Sequence, residues 1–236
     1  MLLFKRAALG LTLLFSIAAQ PALAGAYDDS INAARLGDTG ELTDLLRQGL
    51  EADTVDAGGN TLLMLAAREG QLEVVDLLLR SGARASKRNP AGDSALMMAV
   101  LKGYQPIVER LLAAGAPLNH DGWTPLMYAA FQGQTDIARL LIDRGADINQ
   151  RAPNLATALM FAARNGHIDI VKLLLDRGAD ANVVNDQNRT AHSWALENSN
   201  TDIAELLERR VPSVLKVAPA PAAPQKSGGT LRVLIE

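Results

Sequence analysis

The chain has 236 residues, 48% of them apolar and only 4% aromatic, with 23 Lys and Arg against 26 Asp and Glu. That is enough apolar material for a continuous core, and a balanced charge without a basic run excludes the electrostatic footprint of a nucleic-acid binder. Cysteine is absent, which rules out both a disulfide and a lipid-modified cysteine.

Lys5 and Arg6 precede an apolar stretch, Ala7 to Ala19, which Pro21 breaks, and Ala22-Leu23-Ala24 has the small-x-small form cut by signal peptidase. Residues 1–24 therefore read as a signal peptide cleaved before Gly25. The run is short for a bilayer-spanning helix, so no membrane span is expected after cleavage. Losing Lys5 and Arg6 takes the 23 basic residues to 21 against 26 acidic, a formal charge of −5. The expected location is the periplasm.

From residue 26 onward the sequence repeats. One set of glycines falls at Gly37, Gly70, Gly103, Gly133 and Gly166, and another at Gly49, Gly82, Gly115, Gly145 and Gly178. Both step by 33, 33, 30 and 33 residues. A fixed period of this size marks a stack of small units, which offers a long surface for gripping and seldom a catalytic cleft.

The expected units span 26–58, 59–91, 92–121, 122–154, 155–187 and 188–211. The first keeps Ala33-Ala34 and Gly37 without a Thr-Pro opening. The second opens Thr61-Leu62-Leu63-Met64, the third Ser94-Ala95-Leu96-Met97, the fourth Thr124-Pro125-Leu126-Met127 and the fifth Thr157-Ala158-Leu159-Met160. The Thr or Ser caps a short helix, Pro125 occupies a first-turn place where its missing N–H costs nothing, and glycine ends the helix in a left-handed turn. A second helix follows, with apolar spacing such as Ile170, Val171, Leu174 and Leu175. The loop Pro117 to Trp123 is three residues short. The last unit begins at Thr190 and carries Ser199 in place of glycine, as suits a capping unit. Residues 212–236 are rich in Pro, Ala and Gly and read as a linker ending in the β-prone stretch Leu231 to Ile235.

The Thr-Pro-Leu opening at Thr124, the Ala pairs, Gly166-His167, and endings such as Gly145-Ala146-Asp147-Ile148-Asn149 closely resemble the ankyrin repeat over about Ala26 to Arg210. The resemblance implies an all-α fold: an ankyrin-repeat solenoid of about six helix–turn–helix units with loop or hairpin fingers. The family usually has His where this chain has Met64, Met97, Met127 and Met160, so apolar packing is expected to replace imidazole hydrogen bonds there. Packed helices about 10 Å apart would keep the four sulfurs from sharing a metal ion.

The three histidines, His120, His167 and His192, lie in different repeats and pair at neither triad nor metal-ligand spacing. A phosphate-binding glycine loop and a nucleophile elbow are both missing. The chain is accordingly read as a non-enzyme, with no catalytic residue, metal or cofactor.

In proteins of this family the target usually meets the loop tips and the exposed side of the first helices. Carried over, those positions are Arg68, Glu69, Leu101, Lys102, Phe131, Gln132, Arg164 and Asn165. The residue before each capping Thr or Ser is expected on the same surface: Asn60, Asp93, Trp123, Ala156 and Arg189. Trp123 admits two readings, an exposed anchor or a prop for the shortened turn. The whole reads as an exported monomer that binds a protein partner in its concave groove, in stress defence or toxin neutralisation. The alternative is a docking subunit of a periplasmic enzyme or envelope complex that engages its partner through the C-terminal strand.

Overall fold

The computed structural model describes residues 20–210. The signal-peptide reading of 1–24 falls mostly outside that range, and the tail 212–236 wholly so. Among the described residues twelve helices form six consecutive pairs, each an inner helix followed by an outer one: α1 (Gln20–Leu36) and α2 (Thr39–Arg47), α3 (Leu62–Glu69) and α4 (Leu72–Arg80), α5 (Ala95–Lys102) and α6 (Gln105–Ala113), α7 (Pro125–Gln132) and α8 (Thr135–Asp143), α9 (Ala158–Arg164) and α10 (Ile168–Asp176), α11 (Ala191–Glu197) and α12 (Thr201–Arg210). The first helix begins inside the segment expected to be removed. Extended pairing among the described residues is confined to two isolated bridges at finger bases, Val55 with Thr61 and Arg88 with Ser94. No described helix is long and apolar enough to cross a membrane.

Local chemistry sets the helix ends. The hydroxyls of Thr61, Ser94, Thr124 and Thr190 each accept the backbone N–H three residues on, at 3.2 to 3.4 Å. The methionine column does more than pack. Met64 Sδ accepts the Thr61 N–H at 3.4 Å and Met97 Sδ the Ser94 N–H at 3.3 Å, so thioether sulfur closes a capping box that Glu or Gln usually completes. The expectation of purely apolar replacement is corrected at these two units. Thr157 stands apart: it is buried and its hydroxyl finds no partner among the described residues.

Each unit touches its neighbours in sequence, inner helix on inner helix, with the outer helices in a second row. One core runs unbroken from Ile31 to Leu207. The seams also carry polar stitches. Gln71 Nε2 donates to Arg35 O (2.9 Å), His167 Nε2 lies 3.0 Å from Phe131 O, and Asn200 Nδ2 donates to Ala163 O and Arg164 O (2.9 Å). These side chains satisfy carbonyls left without intrahelical partners at the end of the preceding inner helix. On the outer row Asp76–Arg110, Asp143–Arg177 and Asp176–Arg210 bridge successive units.

Candidate partner-binding site

Three columns of side chains run along the face formed by the inner helices and fingers. At the finger base the column reads Asn60, Asp93, Trp123, Ala156, Arg189. Along the inner helices it reads Leu65, Met98, Tyr128, Phe161, Trp194, and one turn later Arg68, Leu101, Phe131, Arg164, Glu197. Positions three apart on a helix share a face, which keeps the last two columns side by side.

In the early units the polar members are satisfied internally. Asn60 Nδ2 donates to both carboxylate oxygens of Asp56 at 3.1 Å, and its Oδ1 accepts from Asn89 Nδ2 at 2.8 Å. Arg68 Nε donates to Glu69 at 2.9 Å. The expected site residues Arg68 and Glu69 thus neutralise each other.

From the fourth unit onward the columns turn aromatic. The Trp123 ring centroid lies 5.2 Å from Tyr128, 6.1 Å from Phe131 and 4.4 Å from Phe161, and Phe161 lies 5.8 Å from Trp194. The rings are tilted or edge-on, as their quadrupoles favour. The Arg164 guanidinium carbon stands 5.5 Å above the Trp194 ring, within cation–π range. Tyr128 donates its hydroxyl to Asp93 Oδ1 at 2.8 Å; burial, the hydrogen bond and the Asp93 charge together push the phenol well above its ordinary pKa.

Trp123 is half-buried, propped on Tyr128 of its own unit and Phe161 of the next. The outward placement expected for residues before the caps fails at Ala156, which is wholly buried. A side chain that small leaves Trp123 room to reach Phe161. Phe131 is 36% exposed, Leu101 is half-buried, and Lys102 and Arg164 are exposed. Gln132 and Asn165 spend their amides on the preceding unit, donating to Leu101 O (3.2 Å) and Phe131 O (2.7 Å). The structure therefore joins Trp123, Phe131 and Arg164 through Phe161 and Trp194, and leaves Arg68 and Glu69 two units away. Sequence reasoning missed Tyr128, Phe161 and Trp194. Their signal was the column itself, which grows in size at the repeat period.

The finger tips carry a second feature. Gly59, Gly92 and Gly122 adopt φ of 77°, 90° and 99°, and the equivalent Leu155 and Asn188 adopt 61° and 57°. A bulky residue in the left-handed region is a true outlier, costing about 1 kcal/mol. Leu155 is also 41% exposed. Between this finger and the next lies a pocket of about 490 Å³, lined by Asn154, Asn185, Asp186 and Gln187 from the fingers and by Arg164, Trp194, Glu197 and Asn198 from the inner helices and the turn after α11. Among the described residues no cluster of three or more His, Cys, Asp or Glu is placed to hold a metal ion.

The comparisons with known proteins agree with this architecture. The family model described as ankyrin repeats (3 copies) matches residues 31–119, 63–152 and 150–211. No curated protein matches the chain. Among solved structures, one chain from the complex of Bd0816 predatory endopeptidase from Bdellovibrio bacteriovorus with immunity protein Bd3460 is 30% identical with a TM-score of 0.69, the match covering 77% of this chain and 97% of that one. The chain belongs to the ankyrin-repeat family.

Proposed function

We propose that this chain is an exported, non-enzymatic binding protein that holds a protein partner against its inner face and neutralises it, as an immunity protein does. The observation that carries the reading is the aromatic face of units four to six, where Phe131 stays exposed over a half-buried Trp123 platform, with polar groups around it. An aromatic centre with a polar rim is the anatomy of a protein interface. Likeness to a chain solved in an endopeptidase–immunity protein complex supports a peptidase as the partner class.

The test is capture and inhibition. The chain from Gly25 onward, immobilised, should retain a peptidase from a periplasmic extract of its own organism, and free chain should titrate the activity of that peptidase to zero at one equivalent. Retention of a peptidase that stays fully active, or of no protein at all, overturns the reading. Export is tested separately: N-terminal sequencing of periplasmic protein should begin at Gly25.

A further inference from the structure

The pocket between the fifth and sixth fingers offers more hydrogen-bond donors than its surroundings use. Arg164 touches no carboxylate among the described residues, and its guanidinium rests on Trp194 at 5.5 Å. Asn185 is only 4% exposed. Its Oδ1 is occupied by the N–H groups of Gln187 and Arg189, at 3.0 and 2.8 Å, and its amide nitrogen, with no partner among the described residues, is left to the solvent of the pocket. Asn154 repeats the arrangement, its Oδ1 accepting the Ala156 N–H at 3.2 Å and its nitrogen left over. Of the two acids lining the pocket, Glu197 is paired with Arg189 and Asp186 is exposed, where water and salt screen its charge. An amide donor opening onto the pocket, beside a guanidinium with no carboxylate within reach among the described residues, suits an anionic acceptor from outside.

We propose that this pocket receives a carboxylate side chain of the protein partner, held by Arg164 and the Asn185 amide, while an apolar side chain of the same segment sits on Phe131. The proposal rests on the binding-protein reading above and assigns the chemistry that the partner must present. Phe131 and Arg164 occupy equivalent places in adjacent units, about 10 Å apart at the usual helix spacing. On an extended strand, side chains two residues apart share a face about 7 Å apart, and the reach of a Glu side chain closes the rest. The partner segment is therefore acidic at one position and apolar two positions away.

Both tryptophans of the chain belong to this face, so intrinsic fluorescence reports on it directly. The probe is an acetylated, amidated hexapeptide with Phe and Glu two residues apart, compared with its Phe and Gln counterpart. The Glu peptide is expected to bind at least tenfold more tightly at low salt, with the gap narrowing as salt rises. Arg164→Ala should erase the preference. So should Asn185→Asp, which keeps the acceptor for the turn but removes the donor. The fold itself licenses that change: Asp56 occupies the same place in the second finger and accepts the N–H groups of Gly58 and Asn60, both at 2.9 Å. Arg139→Ala, an equal loss of charge on outer helix α8, should leave the preference intact. Equal affinity for the two peptides, binding of neither, or a preference that survives Arg164→Ala and Asn185→Asp would overturn the assignment. A captured peptidase whose affinity ignores both substitutions would overturn this site and leave the neutralising role standing. Failure to capture any partner strikes that role instead, because the peptide comparison is read independently of it.

Discussion

Phe131 and Phe161 belong to one aromatic ladder, yet truncation should affect them in opposite ways. Phe161 is 2% exposed and touches Trp123, Phe131 and Trp194. Phe161→Ala removes the central ring and should destabilise by about 3 to 5 kcal/mol in denaturant titrations. Phe131→Ala removes a ring with one side in water. Its effect on stability should stay within about 0.5 kcal/mol, while partner affinity drops by about 2 kcal/mol in calorimetry. The reverse pattern would move the interface elsewhere. Leu155 gives a third case. Leu155→Gly relieves a left-handed backbone and should raise stability by about 1 kcal/mol. A loss of stability would mean that the Leu155 side chain contributes more by packing than its backbone costs.

At the scale of the helix pair, the two glycine ladders look alike in sequence but differ in their surroundings. Gly145 has φ of 95° and open space around it, so a substitution meets only backbone strain. Gly133 has φ of 79°, and a Cβ there would come within 2.8 Å of the His167 ring, which bridges back to Phe131 O. Gly145→Ala should therefore cost about 1 kcal/mol, and Gly133→Ala at least about twice that, as measured by thermal melts. This difference also marks what the sequence could say. Period, caps and helix-ending glycines were legible because they depend on residues a few places apart. The ladder from Tyr128 to Trp194 depends on contacts across unit boundaries, which a reading unit by unit does not see. Thr157 shows the limit from the other side: it has the capping residue type and position, yet its hydroxyl bonds nothing among the described residues. Ala156 shows it again, since it is wholly buried at the place where Trp123 stands half-exposed 33 residues earlier.

Across the whole molecule the two ends are held by different forces. Asp53 and Asp56 sit at the seam of the first two units. Burial alone would raise both carboxyls. The backbone N–H and guanidinium of Arg84, with Lys87, hold Asp53 below its ordinary pKa, and the amide and N–H of Asn60, the N–H of Gly58 and Arg35 do so for Asp56. A pKa lowered in the folded state stabilises at pH above the unfolded value, and that contribution is lost as pH falls through the folded value. Acid below about pH 4 should therefore loosen the early units first. The far end is packed through rings that do not titrate in this range, and it contains both tryptophans. On lowering the pH, helical circular dichroism should fall before tryptophan emission shifts; coincident transitions would show that the stack unfolds as a single unit. The rings of Trp123, Phe161 and Trp194 span two successive seams, and under tension this makes them a strut. Pulled between its ends in an optical trap, the chain should give way in small steps from the N-terminal side. Its last three units should then rupture together at a higher force.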